Sequence, residues 1–171
     1  MKLDRLLELH SLKDLERAGW ARVGVTHSED VAAHSWGVAW LCMVLRPQEL
    51  DGHRLLQLSI IHDLVEVRAG DITPHDPIAP TEKLTIERTA AHALFAERPD
   101  LIDLWEEYAA STSPESRFVH EVDKLDMALQ ALRYSQIQGA DTREFLRSAR
   151  KRITHPTLSA LLDQIEDAVA R

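Results

Sequence analysis

The chain has 171 residues, of which 44% are apolar and 28% are charged, a globular balance that excludes fibrous and disordered proteins. Its formal net charge is −8 with histidine neutral, so the surface lacks the basic footprint that long nucleic acids or anionic membranes require. This length suits a single domain over residues 1–171 with one hydrophobic core.

Acidic side chains interrupt the leucines near the start of the chain. Because Asp4, Glu8 and Asp14 lie among them, we expect neither a signal peptide nor a membrane span there. Cys42 is the single cysteine and cannot form an internal disulfide, which is typical of a reducing compartment. We therefore expect a cytoplasmic protein.

The first predicted elements are three helices. Leucines recur at helical spacing before Gly19, where the first helix should end. Ser28 is a candidate N-cap for a second helix that runs to about Leu45, and Asp51 begins a third helix that runs to about Val67. The second and third helices are largely apolar, which is typical of the buried centre of a domain.

A loop and further helices follow. The stretch RAGDITPHDPIAP, residues 68–80, holds three prolines and a glycine and predicts a loop. Ser113 and His155 each precede a proline, as a helix N-cap precedes proline at the first helical position. Because no stretch alternates as a strand would, we expect an all-α bundle of about seven helices. The later helices are predicted at residues 81–97, 100–111, 114–139, 141–151 and 156–170.

The stretch SIIHDLVEVRAGDITP, residues 59–74, places ionisable groups inside an apolar run. His62 and Glu66 lie four residues apart and would share a face of the third helix, with Asp63 about 100° round from His62. Unpaired carboxylates in such apolar surroundings are costly, so a cation must compensate them. The pattern predicts that His62 and Asp63 bind a metal ion and that Glu66 lies one turn away.

Two further polar positions interrupt apolar helices. His34 in EDVAAHSWGVAWL is a ligand candidate. In FVHEVDKLDMALQAL either Asp123 or Asp126 can supply a fourth ligand, because helical spacing alone does not choose between them. Two histidines and two aspartates make a mixed nitrogen and oxygen site suited to one divalent transition metal, with positions left open for water and substrate.

These residues carry a resemblance. The order His34, His62-Asp63, Asp123 resembles the metal signature of the HD-domain phosphohydrolase superfamily, whose members are all-helical metal-dependent phosphoesterases. The segments RAGW, EDVAAHSW, HDLVEVRAGDITP, KLTIERTA, LWEEY and SPESRFVHEVDKLDM further resemble the HD domain-containing protein 2 branch, which is related to bacterial 5′-deoxynucleotidases. The likeness extends to about residue 135 and places the last ligand on Asp123. It implies an HD-domain helical bundle around one divalent metal ion, such as Mn²⁺, Co²⁺ or Mg²⁺.

The resemblance implies hydrolysis of a small-molecule substrate, a 5′-deoxynucleoside monophosphate, to a deoxynucleoside and phosphate. Glu66 would hold or deprotonate the attacking water, although its position also suits a partner that only orients a ligand. Asp71 would contact the substrate near the sugar hydroxyl and be needed for activity, whereas a plain turn after Gly70 explains it nearly as well. The related enzymes are typically dimers, so we expect a homodimer.

Arg17 and Trp20 precede the second helix. An arginine can bind a phosphate through two hydrogen bonds, and a tryptophan can stack on a base or enclose part of the sugar. The resemblance implies that Trp20 helps to select deoxyribose. The bacterial deoxynucleotidases have arginine directly before tryptophan, whereas Gly19 intervenes here, so Arg22 is an alternative phosphate contact.

Other residues have simpler explanations. Lys83 and Glu87 form an i, i+4 pair that a solvated helix face explains, so we assign them no catalytic role. Tryptophans outside the Arg17 segment are predicted to be core or interface residues, namely Trp36, Trp40 and Trp105.

Three other functions fit some of the same residues. An HD-fold mixed-valent di-iron oxygenase needs extra histidine ligands, for which His75, His92 and His120 are candidates. A helical interaction module could retain a structural metal, but such a site has no need of Glu66 or Asp71. The third is an HD phosphohydrolase that acts on a cyclic or polyphosphorylated nucleotide. Base preference and the native metal are not encoded in these motifs.

Overall fold

The computed structural model describes residues 2–170, and all secondary-structure elements within this range are helices. An isolated antiparallel bridge joins Glu16 to Asp30. A 3-10 helix, Ser11–Asp14, follows the first helix. The α-helices are α1 (Leu3–His10), α2 (Ala18–Ala21), α3 (Val31–Leu45), α4 (Gly52–Ile61), α5 (Glu66–Ala69), α6 (Pro80–Leu94), α7 (Pro99–Ala109), α8 (Pro114–Gln138), α9 (Arg143–Arg150) and α10 (Pro156–Val169).

The all-α prediction is confirmed. Residues 2–170 form ten α-helices, of which α2 and α5 are single turns of 4 residues. The other eight have 8 residues or more, and this number is close to the seven helices predicted. The first helix is shorter than predicted, because α1 ends at His10 and the 3-10 turn follows it before Gly19. Within residues 2–170 no helix is both long and apolar enough to cross a bilayer.

The helices α3, α4 and α8 pack against one another at the centre of the bundle. Helix α7 packs against α4 and α8, α9 and α10 lie along α8, and α6 packs against α5 and α7. Because α3 is apolar on nearly all sides, it can serve as a central element of the core. The central helices contribute buried apolar side chains such as Val38, Leu41, Leu55, Leu58, Val119 and Val122.

Helix caps set where the central helices begin. The carboxylate of Asp30 accepts the Ala33 N–H at 2.7 Å, so α3 begins at Val31 and the predicted cap at Ser28 is wrong. The predicted cap at Ser113 is confirmed, because its hydroxyl accepts the Ser116 N–H at 3.0 Å ahead of α8. These caps satisfy backbone donors that the first turn leaves unpaired.

The predicted third helix is broken at the His-Asp pair. In an α-helix the Ser59 carbonyl would accept the N–H of residue 63, but here it accepts from Nδ1 of His62 at 2.8 Å. The backbone then tightens to three-residue spacing, as the Glu66 N–H donates to the Asp63 carbonyl at 3.0 Å. Helix α4 therefore ends at Ile61, and the prediction of one continuous helix to Val67 is wrong.

Candidate metal centre and active site

Two histidine side chains meet at the centre of the bundle. His34 lies on α3 and His62 follows α4; both are buried, and their Nε2 atoms are 3.5 Å apart. Nδ1 of His62 donates to the Ser59 carbonyl, and Nδ1 of His34 donates to Asp126 at 2.7 Å. Since both partners only accept, Nδ1 of each ring carries a proton, and Nε2 offers a lone pair when the ring is neutral. Facing lone pairs of this kind fit a cation bound between them.

Two carboxylates complete this cluster. Oδ2 of Asp63 lies 3.2 Å from Nε2 of His62 and 3.6 Å from Nε2 of His34. Oδ1 of Asp123, on α8, lies 3.3 Å from the same His34 nitrogen. Ligands about 2.1 Å from one ion stand about 3.0–3.4 Å apart in octahedral or tetrahedral sites. His34, His62 and Asp123 are therefore assembled at a spacing that fits a single divalent ion, and Asp63 lies beside the two histidines.

The charge of the cluster also favours a cation. Burial and the charge of Arg17 oppose a proton on His34, but hydrogen bonds to Asp123 and Asp126 outweigh them and raise the pKa of His34 to about 9. Burial alone would raise the pKa of Asp63, yet His62, His34 and Arg17 hold it well below its usual range. The carboxylates are thus ionised and attract positive charge, which a divalent ion would supply.

Glu66 lies in the first turn of α5 and is buried. Its Oε2 is shielded from solvent and has no hydrogen-bond partner in the described part of the chain. Burial, with the charges of Asp63 and Asp71, raises the pKa of Glu66 well above its usual range. A carboxyl group that is buried and unpaired beside a cluster of candidate metal ligands is suited to hold a water or its proton.

Arg17 and Asp71 border the cluster on the side of the loops. Nη1 of Arg17 lies 3.4 Å from Oδ2 of Asp63, and the arginine side chain is 13% exposed. Asp71 follows Gly70, which ends α5 with φ 76° in the left-handed region that favours glycine. The Asp71 carboxylate accepts the Ala18 N–H at 2.7 Å, so it joins the α5 turn to the Arg17 segment.

A model of the HD domain family matches residues 9–165 of this chain. The chain belongs to the HD domain family. A Xenopus laevis relative named 5′-deoxynucleotidase HDDC2 is 34% identical over 170 residues, with 93% of this chain and 85% of the relative covered.

Two solved structures share this HD domain fold. A Pyrococcus horikoshii protein matches with a TM-score of 0.81 and 29% identity, over 98% of this chain and 99% of that protein. A Magnetospirillum magnetotacticum protein, described as a predicted metal-dependent phosphohydrolase, matches with a TM-score of 0.75 and 25% identity, over 99% and 91% of the two chains. The predicted HD-domain architecture is therefore confirmed.

Trp20 occupies the core of this HD domain. Its side chain is 1% exposed, and its ring packs against Tyr134 and Phe145 at centroid distances of 5.1 and 4.1 Å. Its indole N–H donates to Glu29 at 3.1 Å. The structure does not bring Trp20 to an open face of the site, so its predicted substrate contact stays a prediction. Arg22 is exposed at the end of α2, which leaves Arg17 as the arginine beside the cluster.

Asp126 has a position that sequence spacing does not reveal. Its carboxylate binds the far nitrogen of His34 and thereby aims Nε2 at Asp123 and His62. Gly37, one turn along α3, makes room for this contact, because a Cβ there would overlap the Asp126 carboxylate. The available signal was the three-residue separation of Asp123 and Asp126, which places both on the side of α8 that packs on α3.

Lys83 and Glu87 lie nearer to the site than a solvated face would place them. The Lys83 ammonium donates to the Ile72 carbonyl at 2.7 Å, directly after Asp71, and lies 3.4 Å from Glu87. The charge of Lys83 also acts to lower the pKa of Glu66, against burial. This lysine therefore holds the loop that carries Asp71, a role that the i, i+4 spacing did not indicate.

The histidines considered for a second metal lie elsewhere in residues 2–170. His75 is 3.6 Å from Glu144, and His92 is 3.9 Å from Glu106. Nε2 of His120 lies 2.9 Å from the Tyr108 carbonyl. Among the described residues, neither group of clustered ligand atoms includes any of these histidines, so the extra ligands of a di-iron oxygenase are not brought together. The two groups are His34, His62 and Asp123, and Glu29, His34 and Asp126.

Proposed function

We propose that the protein is a metal-dependent phosphomonoesterase that hydrolyses 5′-deoxynucleoside monophosphates to deoxynucleosides and phosphate. The observation that carries this proposal is the buried cluster of two imidazole nitrogens and two carboxylates, with the unpaired Glu66 carboxyl beside it. The name of the Xenopus laevis relative, a 5′-deoxynucleotidase, supports the choice of substrate.

One divalent ion, Mn²⁺, Co²⁺ or Mg²⁺, would be held by His34, His62, Asp63 and Asp123. A bound ion supplies Lewis-acid polarisation of the phosphoryl group and lowers the pKa of a nearby water. The protein supplies the orientation: Asp126 and the Ser59 carbonyl fix the two imidazole rings through their Nδ1 atoms. With these rings held, the two histidine ligands need little rearrangement when the ion binds.

Glu66 acts as the general base in this proposal. Its Oε2 has no competing hydrogen bond among the described residues, so it is free to accept the proton of the attacking water. Because burial raises its pKa, the carboxylate is a stronger base than an exposed glutamate. The water oxygen bonds to phosphorus as the bond from phosphorus to the sugar oxygen breaks, and the departing oxygen takes up the proton held on Glu66.

Arg17 and Asp71 orient the substrate. Arg17 is the guanidinium beside Asp63, where it can bind phosphate oxygens and offset the charge of the nearby carboxylates. Asp71 is hydrogen-bonded to the Ala18 N–H and can accept a further hydrogen bond from the sugar hydroxyl. Because Asp71 accepts the N–H of Ala18, the residue after Arg17, one hydrogen bond joins the two segments that would bind the substrate.

Phosphate release tests the proposal directly. Metal-stripped protein is supplied with Mn²⁺, Co²⁺ or Mg²⁺ and assayed with deoxynucleoside monophosphates and with their ribonucleotide counterparts. We expect release that requires the metal and favours the deoxy substrates, and release from neither series with any metal would refute the function. Release only from cyclic or polyphosphorylated nucleotides would support the alternative HD phosphohydrolase reaction instead.

We also propose a homodimer that forms through the outer face of α3, in the cytoplasm. Trp36, Met43 and Val44 are 70%, 65% and 64% exposed, and Trp40 is 40% exposed, so this face is apolar and uncovered in the single chain. Tryptophans bury a large area at interfaces, and a second copy offers an identical apolar face. Light scattering checks this: Trp36→Glu should convert a dimer to a monomer, and a monomeric parent protein would contradict the proposal.

A further inference from the structure

Tyr108, at the end of α7, packs between two histidines. Its ring lies edge-on to the ring of His62 at a centroid distance of 5.4 Å. The Tyr108 ring also stacks on the ring of His120, with a centroid distance of 3.9 Å and 23° between the ring planes. His120 is anchored in turn by the Tyr108 backbone carbonyl, to which its Nε2 lies at 2.9 Å. The stack with His120 therefore holds the Tyr108 ring against His62, one of the candidate metal ligands.

Acidic side chains lie near the Tyr108 hydroxyl. Burial and the charges of Asp123, Asp63, Glu87 and Glu66 raise the pKa of Tyr108 well above its usual range. Yet the hydroxyl makes no hydrogen bond to any residue among positions 2–170 within ordinary bonding distance. By contrast, the hydroxyl of Tyr134 accepts the Glu29 N–H at 2.7 Å. A partly buried phenol that lies near carboxylates, but bonds to none in the described part of the chain, is an available donor.

A phosphate monoester beside this cluster needs donors. Asp63, Glu66, Asp71 and Asp123 all present acceptor oxygens, and a phosphate dianion next to them is repelled unless N–H or O–H groups intervene. Arg17 supplies charged donors on one side. The Tyr108 hydroxyl is a neutral donor beside His62, and it adds a hydrogen bond without adding charge.

We infer that the Tyr108 hydroxyl donates a hydrogen bond to a phosphate oxygen of the substrate, on the side of His62. The inference rests on the proposed phosphomonoesterase function and adds a residue that binds the phosphoryl group. The stack with His120 holds the phenol ring in place, so the hydroxyl is positioned before the substrate arrives. The contact lies with the phosphate rather than the base, and it is expected to be shared by all deoxynucleotide substrates.

The test is Tyr108→Phe, which removes one oxygen and keeps both ring contacts. We expect kcat/KM for each deoxynucleoside monophosphate to fall by about ten- to a hundredfold, the usual effect of a lost hydrogen bond to a charged group. The dissociation constant of orthophosphate from Mn²⁺-loaded protein, measured by calorimetry, should rise by a similar factor. Mn²⁺ affinity should not change. Tyr134→Phe, which removes a hydroxyl in the core, is the matched control and should alter thermal stability but not orthophosphate binding.

Two results would overturn the inference. Unchanged orthophosphate binding in Tyr108→Phe would show that the hydroxyl does not contact the phosphate. A parallel loss of Mn²⁺ affinity would show that Tyr108 only supports His62. Because orthophosphate binding needs no turnover, a parent protein that releases no phosphate refutes the proposed function alone. An active parent whose Tyr108→Phe variant binds orthophosphate normally refutes this inference alone.

Discussion

The two sides of the site are built differently. The metal side consists of His34, His62, Asp63 and Asp123, which are largely buried and lie on or next to the long central helices α3, α4 and α8. The substrate side consists of Arg17 and Asp71, which lie in loops next to the one-turn helices α2 and α5. Packing of long helices fixes the first, whereas the second depends on single contacts such as Ala18 N–H to Asp71. Changes on the metal side should therefore remove the ion, and changes on the substrate side should leave it bound.

The largest effect is expected for His62→Ala. The variant loses a buried imidazole of the cluster, so both Mn²⁺ binding and phosphate release should fall to background. Calorimetry with Mn²⁺ and a phosphate assay measure the two losses. His53→Ala, an exposed position on α4, the helix that ends just before His62 in the chain, is the matched control. Normal metal affinity in His62→Ala would show that the metal side does not hold the ion as proposed.

Glu66→Gln tests the group that lies between the two sides. The amide cannot take a proton from water, so kcat should fall by about 10²–10⁴-fold while Mn²⁺ stays bound. Single-turnover phosphate release and metal calorimetry on one preparation check both statements. Glu82→Gln, exposed in the first turn of α6, should behave as the parent protein. Near-normal turnover in Glu66→Gln would remove the general-base role.

Arg17→Lys weakens the substrate side alone. A lysine keeps the charge but loses the planar pair of donors, so kcat/KM should fall by about ten- to a hundredfold with metal affinity unchanged. Steady-state kinetics measure this effect. The exposed Arg22→Lys is the control, and a larger loss there than at Arg17 would reverse the assignment of the phosphate contact.

Asp126→Asn should have the smallest effect, and on metal affinity rather than on the saturated rate. The amide holds Nδ1 of His34 less strongly, which is expected to weaken Mn²⁺ binding by about ten- to a hundredfold. Excess Mn²⁺ should restore turnover, unlike in His62→Ala. Asp103→Asn, exposed on α7, is the control. An unchanged metal affinity would mean that His34 needs no partner on Nδ1.

The metal side was more predictable from the sequence than the substrate side. Polar residues such as His34 and Asp123 stand out in apolar helices, because burial of such groups is costly without a partner. Helical spacing did not separate Asp123 from Asp126, since both face α3 and only the ring geometry of His34 distinguishes them. The break after α4 also escaped prediction, because it depends on a side-chain bond from His62 to Ser59.

The substrate side depends on contacts between distant parts of the chain. The surroundings of Trp20 come from Tyr134 and Phe145, more than a hundred residues away, so no local pattern predicts its burial. Lys83 reaches the loop after Asp71 across the proline-containing segment that the sequence marks only as a loop. Tyr108 lies in an ordinary amphipathic stretch, and only its ring contacts distinguish it from a core residue.

Gly37 links the packing of α3 on α8 to the orientation of His34. A Cβ at this position would overlap the Asp126 carboxylate, so a side chain there would displace that carboxylate from Nδ1 of His34. The imidazole would then lose the hydrogen bond that directs its Nε2 toward Asp123. A space the size of one methyl group therefore supports the orientation of a candidate metal ligand one turn away on the same helix.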